Sequence, residues 1–225
     1  MTYVISNIHG NYSKFTEMLN KISFSDNDIM YVLGDIVDFG DETMETICDL
    51  SVRMNVYSIM GEHDAMAYKM LSGFDAMLKN GGTPDAKFIS DMKAWSENGG
   101  DKTLAAFRAL DDEMKEGVLD YLVDMAPYDI AEAGGRKYLL VHAGIAGFEK
   151  GKDLDDYEDE DFYSEPLDME KEYFGRTSVV VGHMPTESGK ITRNGKNIAI
   201  DCGVANGGCL ACLCLENGKE YYIND

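Results

Sequence analysis

Residues 31–40, Tyr31-Val32-Leu33-Gly34-Asp35-Ile36-Val37-Asp38-Phe39-Gly40, join a short apolar run to a glycine and two aspartates. The run predicts a buried β-strand, and the aspartates would follow it at the carboxyl edge of a sheet, where ligand-binding groups gather. For this segment alone, an ordinary turn containing aspartate is the alternative interpretation. Four other junctions between a predicted strand and its loop carry similar chemistry, and together they favour a site.

The chain has the size and composition of one globular domain. Its 225 residues are 44% hydrophobic and 27% charged, which suffices for a domain with a substantial core. We therefore predict a single domain over residues 1–225. No run approaches the roughly 18 apolar residues that span a bilayer, and the first residues lack the features of a signal peptide. We expect no membrane partner and a cytoplasmic location.

The formal net charge of −21 at pH 7 restricts the partners. A protein that binds nucleic acid through its phosphates needs a basic surface, so we expect no nucleic acid polymer as a partner. Cations, in contrast, would be attracted to this chain.

Predicted strands alternate with predicted helices in the first sixty residues. This pattern predicts a largely parallel sheet with helices on its faces, so functional side chains should gather at the carboxyl ends of the strands. The predicted elements are strand 3–6, helix 12–22, strand 29–33, helix 42–54 and strand 56–60.

The middle of the chain changes to a helical pattern. Residues 65–128 are predicted to form a helical insertion within the domain, with one amphipathic helix over 104–125 that Pro127 ends. Because the strands at the end of the chain are joined by tight turns, they suggest a second sheet packed on the first. The later strands are predicted at 138–141, 178–181, 198–201, 210–215 and 221–223.

Two other features suggest metal sites but have simpler interpretations. Four of the five cysteines lie between Cys202 and Cys214, and Cys209 and Cys212 have the CxxC spacing. No second pair or nearby histidine completes a zinc set, so buried thiols in a core strand are the favoured interpretation. The acidic run 153–161 lacks the glycine of a calcium loop and is predicted to be a solvated loop.

Polar side chains follow most predicted strands, and they include all four histidines of the chain. A lone histidine after a strand is more often structural than a ligand, but four at equivalent positions favour a site. Mixed imidazole and carboxylate ligands suit Mn²⁺, Fe or Zn²⁺, and a shared carboxylate permits the two-metal arrangement used in phosphoester hydrolysis. The residues are Asn7, His9, Asp35, Asp38, Glu62, His63, Asp64, His142 and His183.

The order of these blocks resembles the calcineurin-like metallophosphoesterases, and more narrowly the bacterial serine/threonine phosphoprotein phosphatases and symmetrical diadenosine tetraphosphatases. Trp95 to Gly100 and Ile200 to Gly203 also resemble segments of that family. The resemblance runs nearly end to end and implies an α/β fold, a β-sandwich of two mixed sheets flanked by helices in four layers (α/β/β/α). The matching blocks are Asn7-Ile8-His9-Gly10, Gly34 to Gly40, Gly61-Glu62-His63-Asp64, His142-Ala143-Gly144 and Gly182-His183.

The resemblance also implies a role for each block. Asp35 would bridge two divalent metal ions, expected to be Mn²⁺, with Fe or Zn²⁺ as alternatives. His9 would help to hold the first ion, and His142 and His183 the second. His63 would protonate the leaving oxygen while Asp38 orients its imidazole, and a metal-activated hydroxide would attack phosphorus.

Three residues depart from the family's pattern. Asn7 stands where the resemblance places an aspartate on the first ion, and Glu62 where it places an asparagine on the second. The site would then be a two-ion centre with redistributed charge, or one that holds one ion or none. Phe39 stands where the family has an arginine that binds the substrate phosphate, and segment 162–165 offers no second arginine.

Two functions of different classes follow from these residues. We predict a metal-dependent phosphoesterase that acts on phosphomonoesters of a phosphorylated protein or of a small molecule, with a dinucleoside polyphosphate as the alternative substrate. The competing hypothesis is a catalytically impaired relative that serves as a binding module. Retention of His63 with Asp38 favours the enzyme, because a purely structural site has little use for a positioned acid.

Overall fold

The computed structural model describes residues 1–224, which form two β-sheets with helices packed against them. In chain order, the elements are β1 (Thr2–Ile5), α1 (Tyr12–Ile22), β2 (Ile29–Leu33), α2 (Thr43–Val52), β3 (Val56–Ile59), α3 (Glu62–Asn80), α4 (Ala86–Trp95), α5 (Asp101–Arg108), α6 (Asp112–Val123), β4 (Tyr128–Ala133), β5 (Arg136–Val141), β6 (Thr177–Val181), β7 (Thr192–Asn194), β8 (Asn197–Ala199), β9 (Leu210–Cys214) and β10 (Glu220–Ile223).

Both sheets are mixed, which confirms the predicted fold class. In the first, with strand order β10-β9-β1-β2-β3, β1 to β3 run parallel and β9 is antiparallel to β1. In the second, with strand order β4-β5-β6-β8-β7, β5, β6 and β8 run parallel. The prediction that the last strands build the second sheet was wrong for β9 and β10. They extend the first sheet, where β9 lies between β1 and β10 and is buried on both faces.

The core lies in three layers. Between the sheets, Val4 and Leu33 of the first sheet belong to the same buried cluster as Leu140 and Val180 of the second. Helices cover the outer face of the first sheet, where α1, α2, α3, α5 and α6 contribute to its core cluster. The outer face of the second sheet is covered by residues 145–174, whose backbone forms short 3-10 turns. The central strands of each sheet are therefore covered on both faces, whereas β4 and β7 at the edges of the second sheet keep exposed residues.

Residues 62–123 hold the helices that stand between β3 and β4. The single amphipathic helix predicted over 104–125 was wrong, since Arg108 ends α5 and α6 begins at Asp112. The break has a local cause, because the Asp111 carboxylate caps α6 by accepting a hydrogen bond from the Met114 N–H at 2.8 Å. β4, which begins at Tyr128, was not predicted. The block Gly61 to Asp64, expected as a loop, instead starts α3.

The cysteine cluster and the acidic run have the burial and the exposure predicted for them. Cys202, Cys209, Cys212 and Cys214 are buried free thiols, as predicted. The acidic run places its carboxylates largely in solvent and anchors itself through buried Tyr157.

Within residues 1–224, no helix is both long and apolar enough to cross a membrane.

Candidate metal centre and active site

The predicted site residues meet at one edge of the two sheets, where the parallel strands end. His9 follows β1, Asp35 follows β2, and His63 lies in the first turn of α3 after β3. On the second sheet, His142 directly follows β5 and His183 follows β6. Parallel strands aligned side by side bring side chains that are far apart in sequence to one place.

Close backbone packing holds these loops together. The Asn7 N–H donates to the Gly34 carbonyl at 3.0 Å, and the His9 N–H donates to the Asp35 carbonyl at 2.9 Å. Gly34 has φ +69°, and a Cβ there would lie 2.6 Å from the backbone of Gly61 and 2.7 Å from His142 Nδ1. A side chain at position 34 would therefore push the metal-site loops apart.

Three side chains form a cluster that can hold a metal ion. One ligand atom from each of Asp35, His142 and His183 lies within 4.8 Å of the others. His142 Nδ1 donates to the Leu33 carbonyl at 2.8 Å, which turns its Nε2 toward Asp35 and His183. That Nε2 lies 3.4 Å from Asp35 Oδ1 and 3.1 Å from His183 Nδ1.

The electrostatics of His183 suit a metal ligand. Burial, together with the neighbouring His142, lowers the pKa of His183 to about 4. The imidazole is therefore neutral at physiological pH, which is the form that coordinates metals.

Asn7 occupies the position expected for a first-ion ligand, and it is fully engaged in hydrogen bonds. Its side-chain oxygen accepts from the His183 backbone N–H at 3.0 Å, which fixes the orientation of the amide. Its Nδ2 consequently faces Asp35 Oδ2 at 3.0 Å and His9 Nε2 at 3.4 Å. His9 Nδ1 donates to the Val37 carbonyl at 2.9 Å, so Nε2 can accept. An amide N–H₂ supplies two donors and no metal ligand.

The residues present thus fit an ion at one half of the centre and not at the other. The Asp35, His142 and His183 half offers acceptor atoms that converge on one point. In the Asn7, His9 and Asp35 half, the amide N–H₂ already satisfies the acceptors. The number of ions stays a prediction.

His63 and Asp38, predicted as a general acid and the residue that orients it, are hydrogen-bonded to each other. His63 Nδ1 lies 2.7 Å from Asp38 Oδ2, so this carboxylate orients the ring. Burial lowers the pKa of His63, but the hydrogen bond with Asp38 and the charges of Asp35, Asp38 and Asp64 outweigh it and raise that pKa to about 9. At neutral pH the imidazole is protonated and can donate a proton.

Two residues that were not predicted as site residues hold Asp38 in place. Trp95 Nε1 donates to Asp38 Oδ2 at 2.9 Å, and Thr103 Oγ1 donates to Oδ1 at 2.7 Å. All three residues are buried. Trp95 lies in a segment whose resemblance to the family was noted, whereas no pattern indicated Thr103.

Two further carboxylates support the site. Asp64 accepts the backbone N–H groups of Asp35 (2.7 Å), Ile36 (3.0 Å) and Gly61 (3.0 Å), so it joins the loop after β2 to the start of α3. Burial and the nearby charge of Asp35 raise the pKa of Asp64 to about 7. Asp201, after β8, is also buried, and burial raises its pKa to about 6.

Glu62 and Phe39 line the open side of the centre. Glu62 is exposed at the first residue of α3 and stands outside the metal-binding cluster. Phe39 packs edge-on against the His9 ring at 5.0 Å and lies 5.1 Å from the His63 ring. Both residues border a cavity of about 310 Å³, here called the metal-site cavity. It is also lined by Asn7, His9, Asp35, His63, His183, Met184, Pro185, Asp201, Gly203, Ala205 and Asn206. Among the described residues, none that lines it is a lysine or an arginine.

Backbone strain is concentrated in the same place. In residues 1–224, the non-glycine residues with positive φ are Ser23 and six that belong to the site. Such conformations cost about 1–3 kcal/mol each and persist where the surroundings impose them, as they do in many active sites. The six are Asn7 (51°), His9 (48°), Asp35 (52°), Asp38 (69°), Phe39 (61°) and His183 (66°).

Several known proteins are similar to this chain in sequence. Serine/threonine-protein phosphatase 2 of Salmonella typhimurium is 30% identical over 68% of this chain and 63% of its own length. The asymmetrical bis(5'-nucleosyl)-tetraphosphatase PrpE of Geobacillus thermodenitrificans is 25% identical over 93% of this chain and 88% of its own length. A symmetrical bis(5'-nucleosyl)-tetraphosphatase of Buchnera aphidicola matches over only 24% of its own length, at 40% identity.

Solved structures show a similar fold. The crystal structure of a protein assigned as a diadenosine tetraphosphatase aligns with a TM-score of 0.65 at 19% identity, covering 99% of this chain and 92% of that chain. At this identity the likeness concerns the fold. The family model of the calcineurin-like phosphoesterases matches residues 2–218. The chain therefore belongs to the calcineurin-like phosphoesterase family.

Proposed function

We propose that this protein is a metal-dependent phosphoesterase that works with one divalent ion held by Asp35, His142 and His183. The observation that carries the proposal is the hydrogen-bonded pair of His63 and Asp38 near that cluster, because His63 lines the metal-site cavity together with Asp35 and His183. A bound ion would activate water and neutralise charge that develops on the phosphoryl oxygens.

The chain's own residues supply the rest of the chemistry. His63 holds a proton at Nε2, since Nδ1 is bound to Asp38, and delivers it to the oxygen of the leaving group. Asp38 fixes the ring and favours its protonated form, and Trp95 and Thr103 keep the carboxylate in position. Asn7 holds Asp35 and the backbone of His183 in register from the other side.

The substrate class is a phosphomonoester on a protein or a small molecule, with a dinucleoside polyphosphate as the alternative. The names of the relatives support both classes, because one is a serine/threonine phosphatase and others are bis(5'-nucleosyl)-tetraphosphatases. We infer Mn²⁺ as the ion, with Fe or Zn²⁺ as alternatives, from the mixed imidazole and carboxylate donors.

The test is hydrolysis of para-nitrophenyl phosphate by the Mn²⁺-loaded protein, with the His63→Asn variant assayed under the same conditions. Loss of the general acid should lower kcat by about 10²- to 10⁴-fold. Lys79→Gln is the matched control, since Lys79 lies on the same helix and pairs with Asp75 away from the site. Metal analysis of the same preparations should give about one ion per chain.

Two results would overturn the proposal. They are the absence of hydrolysis with each of the three metals, and hydrolysis that does not depend on His63. Either would favour the competing hypothesis of a binding module, for which the hydrogen-bonded Asn7 half of the centre is the supporting observation.

A further inference from the structure

A second cavity of about 330 Å³ adjoins the metal-site cavity. It is bordered by α3 and α4, and the residues that matter here are Glu62, His63, Lys69, Lys87, Asp91 and Trp95. We call it the lysine cavity. It shares Glu62 and His63 with the metal-site cavity, so the His63 side chain stands at the boundary of the two.

The position of His63 indicates which part of a substrate would lie in the lysine cavity. A general acid contacts the oxygen of the group that leaves, not the phosphorus or the attacking water. Because His63 separates the two cavities, a substrate whose phosphorus lies in the metal-site cavity extends its leaving group past His63 into the lysine cavity.

The two cavities differ in the cations that line them, because only the lysine cavity is bordered by lysines, which stand there beside the carboxylates of Asp91 and Glu62. Lys69 Nζ lies 3.0 Å and Lys87 Nζ 2.8 Å from the same oxygen of Asp91, so one carboxylate serves two ammonium groups. Their side chains are 55% and 77% exposed, which leaves both free to reach another anion. The metal-site cavity instead carries the carboxylates of Asp35 and Asp201, besides the shared Glu62, and no lysine or arginine among its described residues.

We propose that the lysine cavity is a subsite for a leaving group that carries its own phosphate, with Lys69 and Lys87 as the residues that select it. This inference rests on the proposed function. In the reaction, a bond forms between the water oxygen and phosphorus, and the bond from phosphorus to the leaving oxygen breaks. That oxygen, itself bonded to a second phosphorus, takes the proton from His63, and the proton of water passes to solvent. In a chain of net charge −21, these lysines offset the repulsion of such an anion.

The test compares two substrates that differ in the leaving group. Inorganic tripolyphosphate releases a phosphorylated group, whereas para-nitrophenyl phosphate releases an uncharged phenol or its phenolate. In the Lys69→Gln, Lys87→Gln double variant, kcat/KM for tripolyphosphate should fall about ten- to a hundredfold relative to kcat/KM for para-nitrophenyl phosphate. Lys79→Gln, on the same helix but outside both cavities, should leave that ratio unchanged.

A second variant should change the ratio in the opposite direction. Asp91→Asn removes the carboxylate that both lysines share, so it should raise kcat/KM for tripolyphosphate severalfold. A variant that merely damaged the structure would lower kcat/KM, so a rise separates the two explanations.

The proposal is overturned if the double variant changes both substrates equally or neither, or if Asp91→Asn lowers kcat/KM for tripolyphosphate. If the wild-type protein hydrolyses neither substrate, the proposed function fails and the subsite is judged by binding. Calorimetry with pyrophosphate on metal-free protein should then show at least tenfold weaker binding by the double variant, and equal affinities would overturn the subsite.

Discussion

The two oxygens of Asp35 face two differently built halves of one centre. Oδ1 lies 3.4 Å from His142 Nε2, and in this half three possible metal-ligand atoms, from Asp35, His142 and His183, lie within 4.8 Å of one another. Oδ2 lies 3.0 Å from Asn7 Nδ2, and in this half the amide donates to Asp35 and lies 3.4 Å from His9 Nε2. Converging acceptors are stable only with a cation or proton among them, whereas an amide that meets its acceptors is complete without an ion. We therefore expect the side chain at position 7 to decide whether its half of the centre holds a metal ion.

The comparison also explains how the chain tolerates Asn7 at a place where the resemblance puts a carboxylate. The amide satisfies Asp35 Oδ2 and the His183 N–H simultaneously. The amide therefore holds the loops after β1, β2 and β6 together. A residue that lacked the carboxylate and made no such hydrogen bonds would not.

The largest effect should come from Asp35→Asn, which changes both halves at once. Both oxygens of Asp35 accept hydrogen bonds, one from the His63 N–H and the other from the Asn7 amide. An amide at position 35 has only one oxygen, so its N–H₂ group would face one of these donors or the metal ion. We expect loss of metal binding and at least about a thousandfold loss of kcat/KM, since a metal ion contributes several kcal/mol. Metal analysis and phosphatase assays measure these losses. Full activity in this variant would disprove the assigned role of Asp35.

Asp38→Asn should have the next largest effect, and it tests the acid that borders the Asn7 half. The His63 ring lies 5.2 Å from the His9 ring, and Asp38 is its proton partner. We expect kcat to fall about ten- to a hundredfold.

The pH dependence gives this variant a second readout. The raised pKa of His63, about 9, keeps the acid protonated below that pH, so wild-type kcat should decline as pH rises through about 9. In Asp38→Asn, burial is no longer outweighed by the Asp38 bond, so the pKa should fall and the decline should begin at least about one pH unit lower. A profile that keeps its wild-type position would contradict the role of Asp38.

The sequence was sufficient for the parts of the fold that depend on local patterns. Apolar runs and their following polar blocks predicted β1, β2, β3, β5 and β6 and the edge where the site lies. The partners of β9 and β10 were not predictable, because 210–215 is apolar on both faces and fits a central strand of either sheet. The break at Asp111 depends on one capping side chain, which helical periodicity does not register.

Within the site, the residue types were predictable and their supports were not. All four histidines and Asp35 carry their signal in the residues that adjoin them. Trp95 and Thr103 reach Asp38 across 57 and 65 residues, so only the tertiary structure brings them together. The same is true of Asn7, since its contact with the backbone of His183 fixes which end of the amide faces Asp35.

Asn7→Asp should allow the Asn7 half to hold an ion as well, and its effect should be smaller than those of the two preceding variants. The new side chain keeps an oxygen for the His183 N–H but places a second oxygen where Nδ2 now faces Asp35 and His9. In metal-free protein we expect a loss of about 1–3 kcal/mol in the free energy of unfolding. With Mn²⁺ we expect about two ions per chain and a larger metal-induced rise in Tm than in the wild type.

Asn7→Ala is the control for that change. It removes the contacts of Nδ2 with Asp35 and His9, and also the acceptor for the His183 N–H, but it adds no carboxylate. It should therefore be destabilised without gaining an ion. If Asn7→Asp also binds only one ion, the amide is not what prevents the second half from holding metal.

The smallest effect concerns Phe39, which covers the Asn7 half. Its ring packs against His9 and His63, and no lysine or arginine lines the cavity among the described residues. Phe39→Arg should place a guanidinium near the reacting phosphate and lower the inhibition constant for inorganic phosphate about tenfold, the effect of one charge-assisted hydrogen bond. The lost ring contacts should cost about 0.5–1.5 kcal/mol of stability.

Phe39→Leu separates these effects, because it loses the ring and gains no charge. If Phe39→Leu also binds phosphate more tightly, the Phe39 ring blocks the cavity. If only Phe39→Arg does, the gain comes from the added guanidinium.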